Sequence, residues 1–243
     1  MKIRLDQLLV EKGFFESRTR AQSAIMAGQI LVDEQKIDKA GTLINEDSKI
    51  RILGEKLKYV SRGGLKLEKA LDEFGIDPIN QICLDIGAST GGFTDCLLQR
   101  GAEKVYAIDV GYGQLDLKIR NDPKVVVIER TNARYLRPQD IPDKASLAVI
   151  DVSFISLSKI LPAVFDLLAG DGQVAALVKP QFEAGRDKVG KGGIVKDEQA
   201  RKDVLAKVIK EAESIGFKFI ASCDSPISGA DGNKEFLIHL KKM

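Results

Sequence analysis

The chain has 243 residues, enough for one sizeable α/β domain and a small additional one. Its net charge of +2 excludes a uniformly basic protein, so any nucleic-acid site must be a local patch. Three cysteines without paired spacing and a single histidine, His239, argue against a disulfide scaffold, a His-based triad and a His-ligated metal site. No metal ligand is assigned, and His239 is expected to be structural.

The N-terminus is too charged to contain a signal-peptide core, and no apolar run reaches the roughly 18 residues of a membrane span. A cytoplasmic location is therefore expected, with no membrane insertion.

Residues 1–58 predict short helices followed by short strands. RLDQLLVEKG has leucines on one helical face and ends at Gly13, and Ser17 is a good N-cap for a second helix that ends at Gly28. QILVDEQKID then predicts two strands joined by a turn. Basic residues lie on or beside the helices, where such charges usually form a solvated face: Lys2, Arg4, Lys12, Arg18 and Arg20.

This arrangement resembles the S4 RNA-binding domain, on the residues Arg4-Leu5-Asp6, Ser17-Arg18, Ala21, the helix end at Ile25…Gly28 and the strand pair around Val32. The resemblance implies that the helical face holds phosphates of structured RNA. It makes Lys2, Arg4, Arg18 and Arg20 the candidate RNA-binding residues of this domain. Phosphate contacts position a protein on RNA without specifying sequence.

A basic connector follows, KLKYVSRGGLKLEKAL, in which 59–65 is assigned as a linker and 66–243 as the second domain. Lys58 and Arg62 are further candidate RNA contacts. A helix is predicted to begin after the Gly63-Gly64 pair and to end at Gly75.

Seven apolar, β-branched segments alternate with helices in the rest of the chain, which predicts an α/β fold with a Rossmann-like, mostly parallel sheet. The predicted strands are ICLDIGAS, KVYAIDVG, VVVIER, LAVIDVSF, QVAALVKPQF, FKFIASCDS and EFLIHLKK, and helices are predicted near 91–100, 114–121, 157–169 and 197–215. Only a short turn joins the last two strands, whereas a parallel crossover needs a dozen or more residues. The last strand should therefore be antiparallel.

The segment LDIGASTGGFTD predicts a strand, a Gly-rich turn and a helix, an arrangement that brings backbone close to a ligand. The dehydrogenase pattern G-x-G-x-x-G is absent, so a nicotinamide dinucleotide is the weaker alternative. The acid two residues before the first glycine is typical of S-adenosylmethionine-binding turns. Candidate cofactor residues are Asp85, Gly87, Ala88, Ser89, Gly91, Gly92, Phe93, Asp109, Val110, Asn132 and Asp151. Of these, Asp109 is placed to take ribose hydroxyls and Asn132 to meet the adenine.

Two charged residues close buried strands. Asp151 ends LAVID, and Lys179 ends VAALVK directly before Pro180. A lysine at such a position costs desolvation energy unless it is paired or functional. Ligand sites in open α/β sheets lie at the carboxyl ends of strands, so these two residues are predicted to share one site.

The motifs SRGGLKL, IDVSF, VKPQFEAGR…GKGGIV and GNKEFL together resemble the TlyA (haemolysin A) family of ribosomal RNA methyltransferases, which carry an S4 domain ahead of an FtsJ-like methyltransferase domain. The resemblance covers almost the whole chain. It implies a catalytic Lys-Asp-Lys-Glu tetrad at Lys66, Asp151, Lys179 and Glu235. Lys69 is a nearby competitor for Lys66, but Leu65-Lys66-Leu67 matches the family motif better.

These residue types suit transfer of a methyl group from S-adenosylmethionine to a ribose 2′-hydroxyl, which is a weak nucleophile that must be held and deprotonated. Lys179 is the candidate proton acceptor, oriented by Asp151. Lys66 can hold the hydroxyl or a phosphate, and Glu235 can fix one lysine. Which lysine takes the proton stays open. The Gly- and Lys-rich segment 183–197 is a candidate active-site loop, with Arg186, Lys188 and Lys191 as RNA contacts.

The partner implied is ribosomal RNA or a ribosomal subunit, with cytidine suggested by the family resemblance alone. Three alternatives remain: a membrane-acting haemolysin, a non-catalytic RNA-binding protein, and a base methyltransferase. The third would usually show a Cys nucleophile or an Asn/Asp-Pro-Pro-aromatic motif, and IDVSF is neither.

Overall fold

The computed structural model describes residues 2–53, 58–185, 189–190, 192–229 and 232–243. The chain divides into two compact units, Met1–Lys56 and Leu57–Met243. The predicted linker, 59–65, lies within the second unit, because Tyr59 is buried in its core and a helix already begins at Gly63. The many basic residues of this stretch favoured its assignment as a linker, but the buried ring of Tyr59 packs it against the second unit.

Two helices and two small antiparallel sheets form the first unit. Its elements are β1 (Lys2–Arg4), α1 (Leu5–Glu11), α2 (Arg18–Met26), β2 (Ile30–Val32), β3 (Gln35–Lys36), β4 (Leu43–Asn45) and β5 (Ile50–Ile52). β1 pairs with β4, and the other sheet has the order β3-β2-β5. α2 begins after Ser17, whose side chain accepts a hydrogen bond from the backbone N–H of Arg20. Leucines of α1 and Ile25 of α2 pack together as the core.

The second unit is built on a seven-stranded sheet, as predicted. Its strands are β6 (Ile82–Ile86), β7 (Lys104–Ile108), β8 (Val125–Ile128), β9 (Ala145–Ile150), β10 (Leu168–Val178), β11 (Phe217–Asp224) and β12 (Phe236–Lys242). Their order across the sheet is β11-β12-β10-β9-β6-β7-β8. β10 begins at Leu168, five residues earlier than predicted, and its pairing with β9 is irregular between Leu168 and Gln173.

The predicted antiparallel strand is confirmed as β12. It lies between β10 and β11 and runs antiparallel to both. Its first residue, Phe236, pairs with Val178, the last residue of β10. The residue before β12, Glu235, is therefore delivered to the edge of the sheet at which the parallel strands end.

Helices cover both faces of this sheet. They are α3 (Gly63–Phe74), α4 (Gly92–Gln99), α5 (Leu117–Arg120), α6 (Leu161–Leu167), α7 (Pro180–Glu183) and α8 (Glu198–Ile215), with short 3-10 helices at Ala133–Tyr135, Pro138–Asp140 and Leu157–Lys159. β6 lies between β9 and β7, which is where the strand order reverses. In open α/β sheets the ligand crevice lies outside the carboxyl ends of the strands at such a point.

Candidate active site

The Gly-rich turn after β6 forms the centre of this crevice. Gly87 has φ +89°, and a Cβ on it would lie 2.4 Å from the backbone oxygen of Asp151. The backbone N–H of Asp151 in turn donates to the oxygen of Ile86 at 3.0 Å. The turn after β6 and the loop after β9 are therefore in direct backbone contact, which only glycine at position 87 permits.

Asp109 fixes the other side of the turn. Its carboxylate accepts hydrogen bonds from the backbone N–H of Ser89 at 2.8 Å and of Gly111 at 2.7 Å. Each carboxylate oxygen keeps a further lone pair for another donor. Asp109 can therefore hold the turn and still accept a bond from a ligand hydroxyl.

Two adjoining cavities open at this edge of the sheet, and Gly87, Ser89 and Asp151 lie in the walls of both. The larger, about 450 Å³, has an apolar wall that includes Ile86 and Ile108 and carries polar groups at Asp109 and Asn132. Apolar walls with a few placed polar groups suit a nucleoside. The smaller, about 370 Å³, is lined by Ser61, Arg62 and Lys66 from the start of α3 and by residues of the Gly-rich turn.

The predicted cofactor residues mostly line these cavities. Ala88, Gly92 and Phe93 lie on the smaller one, Val110 on the larger one together with Asp109 and Asn132, and Gly87, Ser89 and Asp151 on both. Among the residues described, the set fits S-adenosylmethionine, because the turn gives close backbone approach and the larger cavity offers a carboxylate beside apolar walls.

Asp85 and Gly91, also predicted to bind the cofactor, lie in the walls of neither of these two cavities. Asp85 lies inside β6 and is fully buried, where one carboxylate oxygen accepts a hydrogen bond from the Thr94 hydroxyl at 2.6 Å. Burial raises the pKa of Asp85 to about 7. Gly91 has φ +93° and precedes α4, packed against Leu115. Both residues support the turn from beneath, Asp85 through Thr94 of α4 and Gly91 through the start of α4.

Lys66 and Glu235 form a buried ion pair beside the smaller cavity. The Nζ of Lys66, the fourth residue of α3, lies 2.6 Å from Oε2 of Glu235. The two side chains are only 10% and 2% exposed. Glu235 therefore holds the head of Lys66 in place, and Lys66 keeps two ammonium protons for other acceptors.

Lys179 and Asp151 form a second ion pair. The Nζ of Lys179 lies 2.5 Å from Oδ1 of Asp151 and donates to the Ser153 hydroxyl at 3.0 Å. The side chains are 11% and 21% exposed. Asp151 and Lys179 follow the neighbouring parallel strands β9 and β10, which explains why they meet. Asp151 and Lys66 line the same cavity, so the four predicted residues are brought to one place as two ion pairs.

Three of the predicted RNA-binding residues of the first unit already form ion pairs within that unit. The guanidinium groups of Arg4 and Arg18 both bond to Asp6, a fully buried carboxylate, at 2.9–3.0 Å. Their side chains stay 45% and 52% exposed, so each still presents N–H groups outward. Arg20 pairs with Glu16 at 3.6 Å. Lys2 lies exposed on β1.

In the second unit, Lys58 pairs with Glu68, whereas Arg62 is an exposed residue that lines the smaller cavity. Predicted contacts at Arg186, Lys188 and Lys191 lie outside the described residues. His239 is buried on β12, bonded to Gln173 at 2.8 Å and stacked on Phe74, as expected for a structural residue.

Sequence reasoning missed two buried polar residues near the site. Asn233 accepts a hydrogen bond from the backbone N–H of Val195 at 3.0 Å and donates one to the backbone oxygen of Gly193 at 2.9 Å. These bonds join the segment around Gly193 and Val195 to the turn that carries Glu235. Glu183 is buried four residues after Lys179. The signal for Glu183 was an acid directly beside a bulky apolar residue, in PQFE, close after a strand end.

Comparison with known proteins identifies the class. Residues 59–242 match the family described as FtsJ-like methyltransferase, and residues 3–50 match the S4 domain. The chain belongs to the FtsJ-like methyltransferase family and uses S-adenosylmethionine as its cofactor. Within the described ranges, no helix is long and apolar enough to cross a membrane.

Three relatives that match nearly the whole of this chain narrow the class of protein. The chain is 53% identical to the "Putative rRNA methyltransferase YqxC" of Bacillus subtilis, over 98% of this chain and 85% of that protein. It is 43% identical to the "16S/23S rRNA (cytidine-2'-O)-methyltransferase TlyA" of Mycobacterium tuberculosis, over 99% and 90%. A solved structure, "Putative hemolysin from Streptococcus thermophilus", superposes with a TM-score of 0.79 at 48% identity, over 100% of this chain and 89% of that one.

Proposed function

We propose that this protein methylates a ribose 2′-hydroxyl, that of a cytidine in ribosomal RNA, at the cavity flanked by the two ion pairs. The observation that carries the proposal is the arrangement of Lys66–Glu235 and Lys179–Asp151 next to the cofactor turn. A weakly acidic hydroxyl needs both a holder and a proton acceptor, and the two paired lysines can supply these roles.

Lys66 is the holder in this proposal. Glu235 occupies one of its three donor positions and fixes the Nζ, so the remaining N–H groups can hold the hydroxyl oxygen or an adjacent phosphate. Because both side chains are buried, this geometry is present before RNA arrives. Such pre-organisation lowers the entropy cost of bringing the hydroxyl into line.

Lys179 is the proton acceptor, and Asp151 orients it. Ser153 and Asp151, which contact the Nζ, both lie in the wall of the larger cavity. Lys179 reacts as the neutral amine, after its own ammonium proton has left, and Asp151 stabilises the positive charge that the lysine regains when it takes the hydroxyl proton. S-adenosylmethionine, when bound, supplies an electrophilic methyl group. Asp109 and Asn132 would hold its nucleoside, and the Gly-rich turn its other end.

RNA binding is assigned to the S4 unit and to the start of α3. Arg4 and Arg18 present the outward half of guanidinium groups already fixed by Asp6, and Arg62 borders the smaller cavity. The names of the relatives from Bacillus and Mycobacterium support ribosomal RNA as the substrate, and the latter name supports cytidine. Such a substrate agrees with the cytoplasmic location expected from the sequence.

The test is methyl transfer from radiolabelled S-adenosylmethionine to each ribosomal subunit and to stripped ribosomal RNA, followed by nucleoside analysis. Wild type should yield 2′-O-methylcytidine, and Lys179→Ala should lose at least about 10²-fold in rate. Lys218→Ala, which removes an exposed lysine on β11, is the matched control and should behave as wild type.

Other outcomes point elsewhere. A methylated base would refute the role given to the two lysines. Binding of cofactor and RNA without transfer to any substrate form would favour the non-catalytic RNA-binding protein.

A further inference from the structure

Two segments that carry the Lys179–Asp151 pair run side by side. One is the loop 151–157 after β9, and the other is the segment 179–183, which comprises Lys179 and α7. They are linked at three points along their length. The ion pair, together with the hydrogen bond from Lys179 to Ser153, forms the first link. The rings of Phe154 and Phe182, with centroids 5.0 Å apart, form the second.

Glu183 forms the third link, at the far end. Its carboxylate accepts hydrogen bonds from the Ser156 hydroxyl at 2.6 Å and from the backbone N–H of Leu157 at 2.7 Å. Leu157 begins a short 3-10 helix, so Glu183 satisfies an N–H at a helix start. The loop is therefore anchored at Asp151 by the strand and at Ser156 by Glu183.

This loop is under backbone strain between its anchors. Phe154 has φ +64°, a left-handed conformation that a bulky residue rarely adopts, and the residue is 90% exposed. Such a conformation persists only where surrounding contacts determine it. Loss of the anchor at Ser156 would let the loop relax. The backbone N–H of Asp151 would stay bonded to Ile86, but its side chain, at the start of the relaxed loop, would turn relative to Lys179.

The carboxylate of the third link is buried. Glu183 is 5% exposed, and the two groups that donate to it are neutral. The Nζ of Lys207 donates to the backbone oxygen of Glu183 rather than to its carboxylate. Burial raises the pKa of Glu183, because a buried carboxylate is costly without a charged partner.

We infer that Glu183 is a positioning residue for the methyl-transfer reaction: by fixing Ser156 and Leu157 it sets the distance between Lys179 and Asp151. The inference rests on the proposed function of that pair. Glu183 does not line the cavities and touches no reacting group. It acts through geometry, so an isosteric amide, which can accept from Leu157 and donate to Ser156, should replace it.

The experiment measures single-turnover methyl transfer at saturating cofactor and RNA. Glu183→Ala should lower the rate on the order of 10²-fold, as expected for a displacement near 1 Å. Ser156→Ala, which removes one of the two bonds, should lose less, roughly 10-fold. Glu183→Gln should stay within about 5-fold of wild type, because it preserves both contacts.

Two controls separate positioning from loss of fold. Phe217→Leu trims a buried ring at the opposite end of the sheet and should keep the wild-type rate despite a lower melting temperature. In an Asp151→Ala background, Glu183→Ala should cost less than about 3-fold, since the pair it positions is already broken. A merely structural residue would cost the same factor in both backgrounds.

The outcomes distinguish the positioning role of Glu183 from the proposed function of Lys179 and Asp151. A Glu183→Ala enzyme within 3-fold of wild type, or a full 10²-fold loss in the Asp151→Ala background, would overturn the positioning role alone. Wild-type rates in Lys179→Ala and Asp151→Ala would instead overturn the proposed function of the pair.

Discussion

The buried pair Lys66–Glu235 makes a prediction in which stability and activity separate. In Glu235→Ala, the ammonium of Lys66 loses its partner while its side chain remains about one-tenth exposed. Removing one partner of a buried pair costs about 3–5 kcal/mol, because the remaining charge is desolvated without compensation. At roughly 2–4 °C per kcal/mol for a chain of this size, the melting temperature should fall by about 6–20 °C.

Replacing both partners should restore stability without restoring function. Lys66→Met combined with Glu235→Leu keeps the volume and removes both charges, so the free energy of unfolding should return to within about 1 kcal/mol of wild type. Methyl transfer should be lost in both variants, since the hydroxyl has no holder. Thermal unfolding and the radiolabel assay together test this. A cost below about 1 kcal/mol for Glu235→Ala would show that water reaches Lys66 and that the pair is not pre-organised.

Two further predictions concern the turn and the S4 unit. Gly87→Ala should abolish cofactor binding measured by calorimetry, because its Cβ meets the Asp151 carbonyl at 2.4 Å, whereas Gly113→Ala, also at positive φ but with open space, should cost only about 1 kcal/mol and leave binding intact. Equal binding in both would contradict the close approach. Asp6→Asn should destabilise by about 2 kcal/mol at pH 7. A hydrogen bond from Arg4 holds the pKa of Asp6 below its usual range, so its stabilisation is present above about pH 4 and is lost as pH falls. Denaturation curves of both proteins should therefore converge in acid, and a constant gap would refute the assignment.

Sequence reasoning reached the fold because its main signals are local. The apolar strands and the short turn before Phe236 determine a parallel sheet with one antiparallel strand, and both features are in the structure. The positions of Asp151 and Lys179 at strand ends also follow from local patterns, since the carboxyl ends of neighbouring parallel strands meet at one edge.

Which side chains of the site bond to each other could not be predicted from the sequence. Nothing local states that Glu235 bonds to Lys66 rather than to Lys179, because the choice depends on how α3 packs beside β12. Asp85 was predicted to face the cofactor, but burial in the central strand turns it toward Thr94. Glu183 was missed because its partners lie 26 and 27 residues away in the chain.

The placement of β12 has a consequence for how the protein matures. This strand follows β11 in the chain but lies between β11 and β10 in the sheet. The seven-stranded sheet is therefore complete only after β12 has been inserted. Lys66 has no ion-pair partner until Glu235, 169 residues later in the chain, is in place. Until β12 pairs with it, β10 exposes an unpaired strand edge that promotes aggregation. A nascent or clipped chain that lacks β12 should therefore be both inert as a methyltransferase and dependent on chaperones, which couples activity to complete synthesis of the sheet.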